Sequence, residues 1–275
     1  MDPALPLPSQ FPSITMDETE VRNAVLSFPA GSPGGTDGLR PQHLRDLLPC
    51  RESGSDFLSA LTAFVNMVLA GHCAPEAACF FFGGRLLALK KKIGGIRPIA
   101  VGFTLRLLAS KCASTCGASW LSSYLSPRQL GVGVPGRCEA AIHSARRYLE
   151  TLPPDHVFVK LDYSNAFNSL HRCQTCRAPW RTEFLTSMLS VILRTIFLVP
   201  WFLYGLFPRG PPSSQQGDPL APLLFCNTIH PLLQSLEANL SLGFLDDLSL
   251  GGLESVVADD VSKIIKEGAD HPLWV

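Results

Sequence analysis

Residues 242–252 have the sequence LGFLDDLSLGG, in which two apolar segments flank a pair of carboxylates and two glycines close the stretch. Apolar segments joined by two polar residues predict a β-hairpin with Asp246 and Asp247 at its tip. Adjacent strand residues face opposite sides of a sheet, so both carboxylates share one face only if the turn splays them. Two acids in an apolar setting repel each other and need a cation or a proton. Taken alone, an Asp-Asp turn is usually a solvated loop, so its meaning depends on the rest of the chain.

A third carboxylate, Asp162, follows another strand-like segment. Residues 157–161 (VFVKL) are rich in β-branched and aromatic side chains and come after two prolines, which predicts a strand. Asp162 then lies at the C-terminal end of this strand, and Ser164 can cap a helix that begins at once. Enzymes built on sheets often carry catalytic groups at such a position, although a single Asp there is weak evidence.

Residues 213–219 (SSQQGDP) precede a leucine-rich segment and predict a helix start. Asp218 is expected to be the N-cap and Pro219 the first helical residue. Gly217 would let a ligand approach the backbone, and the Gln side chains would project from the loop toward it. An ordinary capped helix explains the same pattern.

The remaining elements are read from periodicity and turn residues. Helices are expected over residues 16–28, with Thr15 and Glu18 at capping-box spacing, from about Pro41, and over residues 56–70, 104–125 and 138–149. Residues 80–89 and 96–101 are expected to form two strands around a Lys-Gly-Gly turn, with the Lys90-Lys91-Lys92 run at the tip.

Composition excludes several classes of protein. The chain has 275 residues, of which 46% are hydrophobic and 17% charged, so it buries a core and is not a disordered tail. Its formal net charge of zero argues against a uniformly basic nucleic-acid coat. Residues 83–150, however, hold eleven Lys and Arg against two Glu. This segregation favours a face for a polyanion, with a solvated surface as the alternative.

The sequence also predicts where the protein works. The N-terminus lacks the order of charge and apolar residues that marks an export signal, and the nine cysteines are irregularly spaced, so an intracellular, reducing location is expected. The longest apolar run, residues 191–207, is interrupted by Arg194 and Pro200, so no membrane partner is expected. His171, Cys173 and Cys176 form a cluster that could ligate zinc, but no second pair lies at a usual spacing.

Three ordered motifs resemble motifs A, B and C of reverse transcriptases, specifically those of non-LTR (LINE-type) retrotransposons. They are residues 162–168 (DYSNAFN), 214–220 (SQQGDPL) and 244–247 (FLDD). Upstream, residues 34–39 (GGTDGL), 92–99 (KIGGIRPI) and 129–132 (QLGV), with Gly136 and Glu139, resemble further blocks of the family in the same order. The resemblance covers residues 20–268.

The resemblance implies a right-hand polymerase with an α+β fold. After an N-terminal extension (residues 1–19), residues 20–153 would form a fingers-like region with the basic hairpin. Residues 154–268 would form a palm, an antiparallel sheet backed by helices that carries the three motifs. An atypical tail, residues 269–275, would follow in place of a thumb.

The implied activity is RNA-directed DNA polymerisation, with an RNA template, a DNA primer and deoxynucleoside triphosphates as partners. Asp162 and Asp246 would bind two Mg²⁺ ions, for which Mn²⁺ could substitute, and Asp247 would be a supporting carboxylate at the metal site. Phosphoryl transfer uses such a pair of ions to activate the attacking hydroxyl and to neutralise the leaving group, and carboxylate oxygens are their natural ligands.

The resemblance also implies residues for the nucleotide and the nucleic acid. Phe167 would lie under the sugar and exclude a 2′ hydroxyl, or else be a core residue. The groups that contact the triphosphate would be Lys90, Lys92 and Arg97. Gln216 and Gly217 would line the nucleotide side of the site. Arg146 and Arg147 would contact backbone phosphate.

Two departures from the family pattern favour an alternative. Few residues follow Asp247, where the family continues into further palm elements and a thumb, and residues 173–212 are atypical. The alternative expectation is therefore a truncated, catalytically inactive retrotransposon remnant that at most binds nucleic acid.

Overall fold

The computed structural model describes residues 14–50, 53–74, 77, 81–90, 94–133, 135–163, 166–169 and 217–270. These residues fall into two compact units. One contains the described residues up to Cys116 together with residues 217–220, and the other contains those from Gly117 to 169 together with residues 221–270.

The first unit begins with three helices, α1 (Glu18–Leu26), α2 (Pro41–Leu47) and α3 (Gly54–Leu69). Helix α1 is capped by a reciprocal pair, because the Glu20 amide donates to Asp17 Oδ1 and the Asp17 amide donates to Glu20 Oε2, both at 2.8 Å. The predicted pairing of Thr15 with Glu18 is therefore wrong. The helix begins later than predicted because the Met16 amide and carbonyl are both hydrogen-bonded to the Asn66 side chain of α3. These bonds fix the chain in an extended form up to Asp17.

The predicted basic hairpin is confirmed. Strands β1 (Gly84–Lys90) and β2 (Ile96–Gly102) pair antiparallel from Gly84 opposite Gly102 to Lys90 opposite Ile96. The first strand begins later than predicted because the residues before it are packed as an aromatic cluster. There Phe81 makes edge-to-face contacts with Phe64 and Phe82, with ring centroids 5.9 and 5.1 Å apart.

Helix α4 (Thr104–Leu125) follows the hairpin with the bounds that were predicted, and α5 (Arg137–Glu150) is one residue longer at each end than predicted. The second unit is built around a three-stranded antiparallel sheet of order β3-β5-β4, formed by β3 (His156–Asp162), β4 (Leu240–Phe244) and β5 (Asp247–Leu253). The short α6 (Ala166–Ser169) follows β3, and α7 (Ala221–Gln234) and α8 (Glu254–Asp270) complete the unit.

The two faces of this sheet differ. Leu248 and Leu250 are buried on one face, where α7 approaches Gly243 and α8 approaches Gly252. Ser249 and Asp247 point to the other face, where Tyr148 of α5 packs on Gly251. Helices and antiparallel strands in these proportions confirm the α+β class. Across the described ranges, no helix combines the length and the apolar character that a membrane crossing requires.

Candidate active site

Three carboxylates lie at one end of the three-stranded sheet. Asp162, the last residue of β3, is the direct partner of Asp247, the first residue of β5. Residues directly opposite each other in an antiparallel pair project to the same face, with Cβ atoms about 5 Å apart. Asp246 lies in the turn before β5, and its carbonyl accepts a 3.2 Å hydrogen bond from the Tyr163 amide. The structure therefore brings the predicted Asp162, Asp246 and Asp247 together.

The β4–β5 turn is held by a residue from outside the hairpin. Leu245 has a φ of +55°, in the left-handed region. Its amide donates to Gln129 Oε1 at 2.9 Å, and its carbonyl accepts from Gln129 Nε2 at 3.2 Å. Gln129 is completely buried, and its Oε1 also accepts from the Gly131 amide at 2.8 Å. One side-chain amide thus binds both main-chain groups of the residue that precedes Asp246.

Asp247 has a cationic neighbour on the same face. Lys160 Nζ lies 3.0 Å from Asp247 Oδ1, and both side chains are partly exposed. Lys160 is two residues before Asp162 in β3, so it projects to the face that Asp162 and Asp247 share. Lys160 is therefore a cation beside Asp247, one of the two adjacent acids.

The carboxylates have the right chemistry for a hard cation such as Mg²⁺, which prefers oxygen ligands. Two of them share a face, and the third adjoins them in the turn. Within the part of the chain that the structure describes, no three His, Cys, Asp or Glu side chains form a ready-made metal-binding group. Asp247 is engaged by Lys160. The residue types and their placement at one end of the sheet fit such an ion.

Tyr163, whose amide donates to the Asp246 carbonyl, belongs to an aromatic cluster on α7. Tyr163 and Phe167 both pack on Phe225 of α7, with ring centroids 6.0 and 5.3 Å away. Burial raises the pKa of Tyr163 to about 12. The pKa of Cys226 is raised by burial and, secondarily, by the negative charge of Asp246. Phe167 thus has a core contact through Phe225, which is compatible with either of its two expected roles.

The loop before α7 lies in the first unit. Gly217 has a φ of +108°, and a Cβ there would lie 3.0 Å from the Ala100 carbonyl oxygen, so the loop is packed on β2. Asp218 is not the N-cap of α7, which begins at Ala221 rather than Pro219. Its carboxylate instead pairs with Arg106 Nη1 at 2.8 Å and accepts from the Leu220 amide at 2.9 Å. The carboxylate therefore binds the Arg106 side chain and the loop before α7, and no amide within the described helix α7 itself.

The basic residues divide between the two units. Lys90 is exposed at the end of β1, and Arg97 lies in β2 opposite Leu89. Arg146 and Arg147 are exposed on α5, and Arg147 is 3.9 Å from Glu150. Other predicted features lie outside the described residues, namely Lys91, Lys92, Ser164, Gln216, the zinc candidates His171, Cys173 and Cys176, the apolar run 191–207, and the ends of the chain, residues 1–13 and 271–275.

A cavity of about 350 Å³ lies beside Asp247, between α5 and the sheet. Its walls are mainly apolar and include Ala141, Ile142, Phe158 and Leu242. This volume is at the lower end of the range of small-molecule sites. The cavity leaves no signal in the sequence, because no local pattern shows how a helix will pack on a sheet.

Comparisons with known proteins do not identify a family. No protein-family model matches the chain, and a search of curated proteins finds no significant match.

Proposed function

We propose that this chain is a reverse-transcriptase domain of the non-LTR, LINE-type class, in which residues 154–268 form the palm and the basic hairpin belongs to the fingers. The observation that carries the proposal is the pairing of Asp162 with Asp247, with Asp246 in the adjoining turn. Motifs A and C are far apart in sequence, and a polymerase needs their carboxylates side by side to hold two metal ions. The register of β3 and β5 supports this requirement.

The reaction adds a deoxynucleotide to a DNA primer on an RNA template. The primer 3′ oxygen forms a bond with the α-phosphorus, the bond to the β-phosphate breaks, and pyrophosphate leaves with the proton going to solvent. Two Mg²⁺ ions, when bound, supply activation of the hydroxyl and neutralisation of the leaving group. Asp162 and Asp246 would hold them. Asp247, whose carboxylate pairs with Lys160, would be the supporting carboxylate at the metal site.

The first unit would supply the nucleotide-binding groups. Arg97 and Lys90 lie on the two strands of the basic hairpin, and Lys92 belongs to the same basic run. Gly217 packs on β2, the strand that carries Arg97, which supports a common role for the hairpin and the Gln216-Gly217 loop. Guanidinium and ammonium groups suit a triphosphate because they offset the charge that develops in transfer.

The second unit would contact the sugar and the nucleic acid. Phe167 would exclude a 2′ hydroxyl, and Arg146 and Arg147, both exposed on α5, would contact backbone phosphate. Such contacts position the duplex without reading its sequence.

A second candidate function is nucleic-acid binding without turnover. The observation that favours it is the Lys160–Asp247 ion pair, in which an ammonium group holds a carboxylate at the metal site. In this case the exposed arginines of α5 would still attract a polyanion.

Incorporation and binding, measured on the same preparation, separate the two functions. A polymerase incorporates labelled deoxynucleotide on a primed RNA template only when Mg²⁺ or Mn²⁺ is present. A binder retains the RNA in a gel-shift assay, loses it as salt is raised, and incorporates nothing. Absence of both activities from a folded chain would contradict both functions.

A further inference from the structure

The turn that carries Asp246 is held in a conformation that its own sequence disfavours. Leucine rarely adopts a positive φ, because its Cβ then approaches the following carbonyl oxygen. At Leu245, φ is nevertheless +55°. The compensating contacts are the two hydrogen bonds that Gln129 makes to the main chain of Leu245. The conformation of this turn therefore depends on a side chain that lies far away in sequence.

We propose that Gln129 is a positioning residue for Asp246, which sets the direction of the metal-binding carboxylate by fixing the main chain of Leu245. This inference rests on the proposed polymerase function. The main chain of Asp246 is then held on both sides. Gln129 fixes the residue before it, and the pairing of Asp247 with Phe244 and Asp162 fixes the residue after it.

A primary amide is the functional group that this position needs. Gln129 Oε1 accepts from two amides, those of Leu245 and Gly131, while Nε2 donates to the Leu245 carbonyl. A carboxylate in its place would have no donor, and an apolar side chain would have neither donor nor acceptor. Because Gln129 is completely buried, unbonded main-chain groups left by its removal would have poor access to water.

The surrounding main chain holds Gln129 itself in place. The Gly243 amide donates to the Arg128 carbonyl at 2.7 Å, and the Leu130 amide donates to the Gly243 carbonyl at 2.8 Å. Gly131 allows the close approach, since a Cβ there would lie 2.5 Å from the Leu245 nitrogen. Residues 128–131 thus form a short ladder along β4 that ends at the Leu245 turn.

The first test needs no substitution. Hydrogen exchange of the parent chain should show the Leu245 amide protected to a degree similar to the β5 amides, because this amide donates a hydrogen bond to Gln129 Oε1. Exchange as fast as that of an open turn amide would overturn the proposal, whatever the activity of the chain.

The second test uses Gln129→Met and Gln129→Glu, with Gln234→Met as the matched control at an exposed glutamine of α7. We expect the Gln129 variants to lose about 10- to 100-fold in kcat and to bind Mn²⁺ more weakly in proton-relaxation titrations, with the KM for deoxynucleotide little changed. Adding Leu245→Gly should recover part of the loss, because glycine adopts the left-handed conformation freely. Parental kcat and Mn²⁺ affinity in a folded Gln129 variant would overturn the proposal.

The two proposals fail in distinguishable ways. If the parent neither incorporates nucleotide nor binds Mn²⁺, the polymerase assignment fails, while Leu245 protection still reports on the Gln129 contact. If the parent is active and the Leu245 amide is unprotected, the polymerase assignment stands and the positioning role of Gln129 is wrong. If the Gln129 variants do not fold, the exchange measurement on the parent decides.

Discussion

Arg106 and Asp218 form a buried ion pair that joins α4 to the loop before α7, with 2.8 Å between Nη1 and Oδ2. Their side chains are 1% and 7% exposed. The guanidinium group also packs against Gly102 at the end of β2, and Gly217 packs against the same strand. This pair therefore fixes the Gly217 loop against the basic hairpin within the first unit.

Asp218→Asn should lower the free energy of unfolding by about 3 kcal/mol. The amide keeps the shape of the side chain but leaves the Arg106 charge buried without its counter-charge, which is more costly than loss of the pair as a whole. Urea denaturation measures the effect, with the exposed Asp259→Asn as the control for loss of one negative charge. A variant as stable as this control would show that the ion pair does not hold the loop.

Gly217→Ala should destabilise the chain by about 1–3 kcal/mol and raise the KM for deoxynucleotide. The added Cβ would meet the Ala100 carbonyl oxygen, in a backbone conformation that suits only glycine. Gly31→Ala is the matched control, because Gly31 also has a positive φ, +75°, but has open space around its Cβ position and lies outside the proposed nucleotide-binding segments. Equal effects of the two substitutions on KM would argue against a role for the loop in nucleotide binding.

Lys160→Met should lower the Mg²⁺ concentration needed for half-maximal incorporation by about two- to fivefold. Lys160 competes with a metal ion for Asp247, and a partly exposed pair of this kind has an interaction energy of only about 0–1 kcal/mol. The measurement is a Mg²⁺ titration of primer extension, beside the exposed Lys266→Met. A higher Mg²⁺ requirement in Lys160→Met would mean that Lys160 supports the reaction instead of competing with the ion.

The chain should lose stability as the pH falls below about 6.5, in part through His230. Burial lowers the pKa of His230, and the charge of Arg128 lowers it further. The unfolded state then binds a proton at a higher pH than the folded state does, so acid favours unfolding. Urea denaturation at pH 7.5 and pH 5 should show a smaller loss for His230→Gln than for the parent or for the exposed His143→Gln. Equal losses in all three would contradict this source of acid sensitivity.

Local patterns predicted the parts of the site that depend on neighbouring residues. Strand β3 ends at Asp162 as its composition predicted, and the 242–252 hairpin places Asp246 in its turn. The structure differs from these predictions where a residue distant in sequence binds a group that was expected to cap a helix or to lie within it. Asn66 bonds the main chain of Met16, so α1 begins later than predicted, and the Asp218 carboxylate pairs with Arg106 instead of capping α7.

Long-range pairing was beyond what the residue patterns could show. Nothing in the 157–161 segment indicates that β3 will pair with β5 rather than β4, yet this choice puts Asp162 opposite Asp247. Likewise, the sequence indicated Gln129 only as part of residues 129–132, which resemble a block of the reverse-transcriptase family. Its contact with Leu245 depends on how two separate segments pack, which no local periodicity encodes.

Primer extension by the purified 275-residue chain on an RNA template with Mg²⁺ tests the central claim most directly, with Asp246→Asn and the charge-matched Asp259→Asn beside it. The account predicts incorporation by the parent and by Asp259→Asn, and none by Asp246→Asn, with RNA binding retained in all three. A folded parent that incorporates nothing, or an Asp246→Asn variant that incorporates as well as the parent, would contradict it.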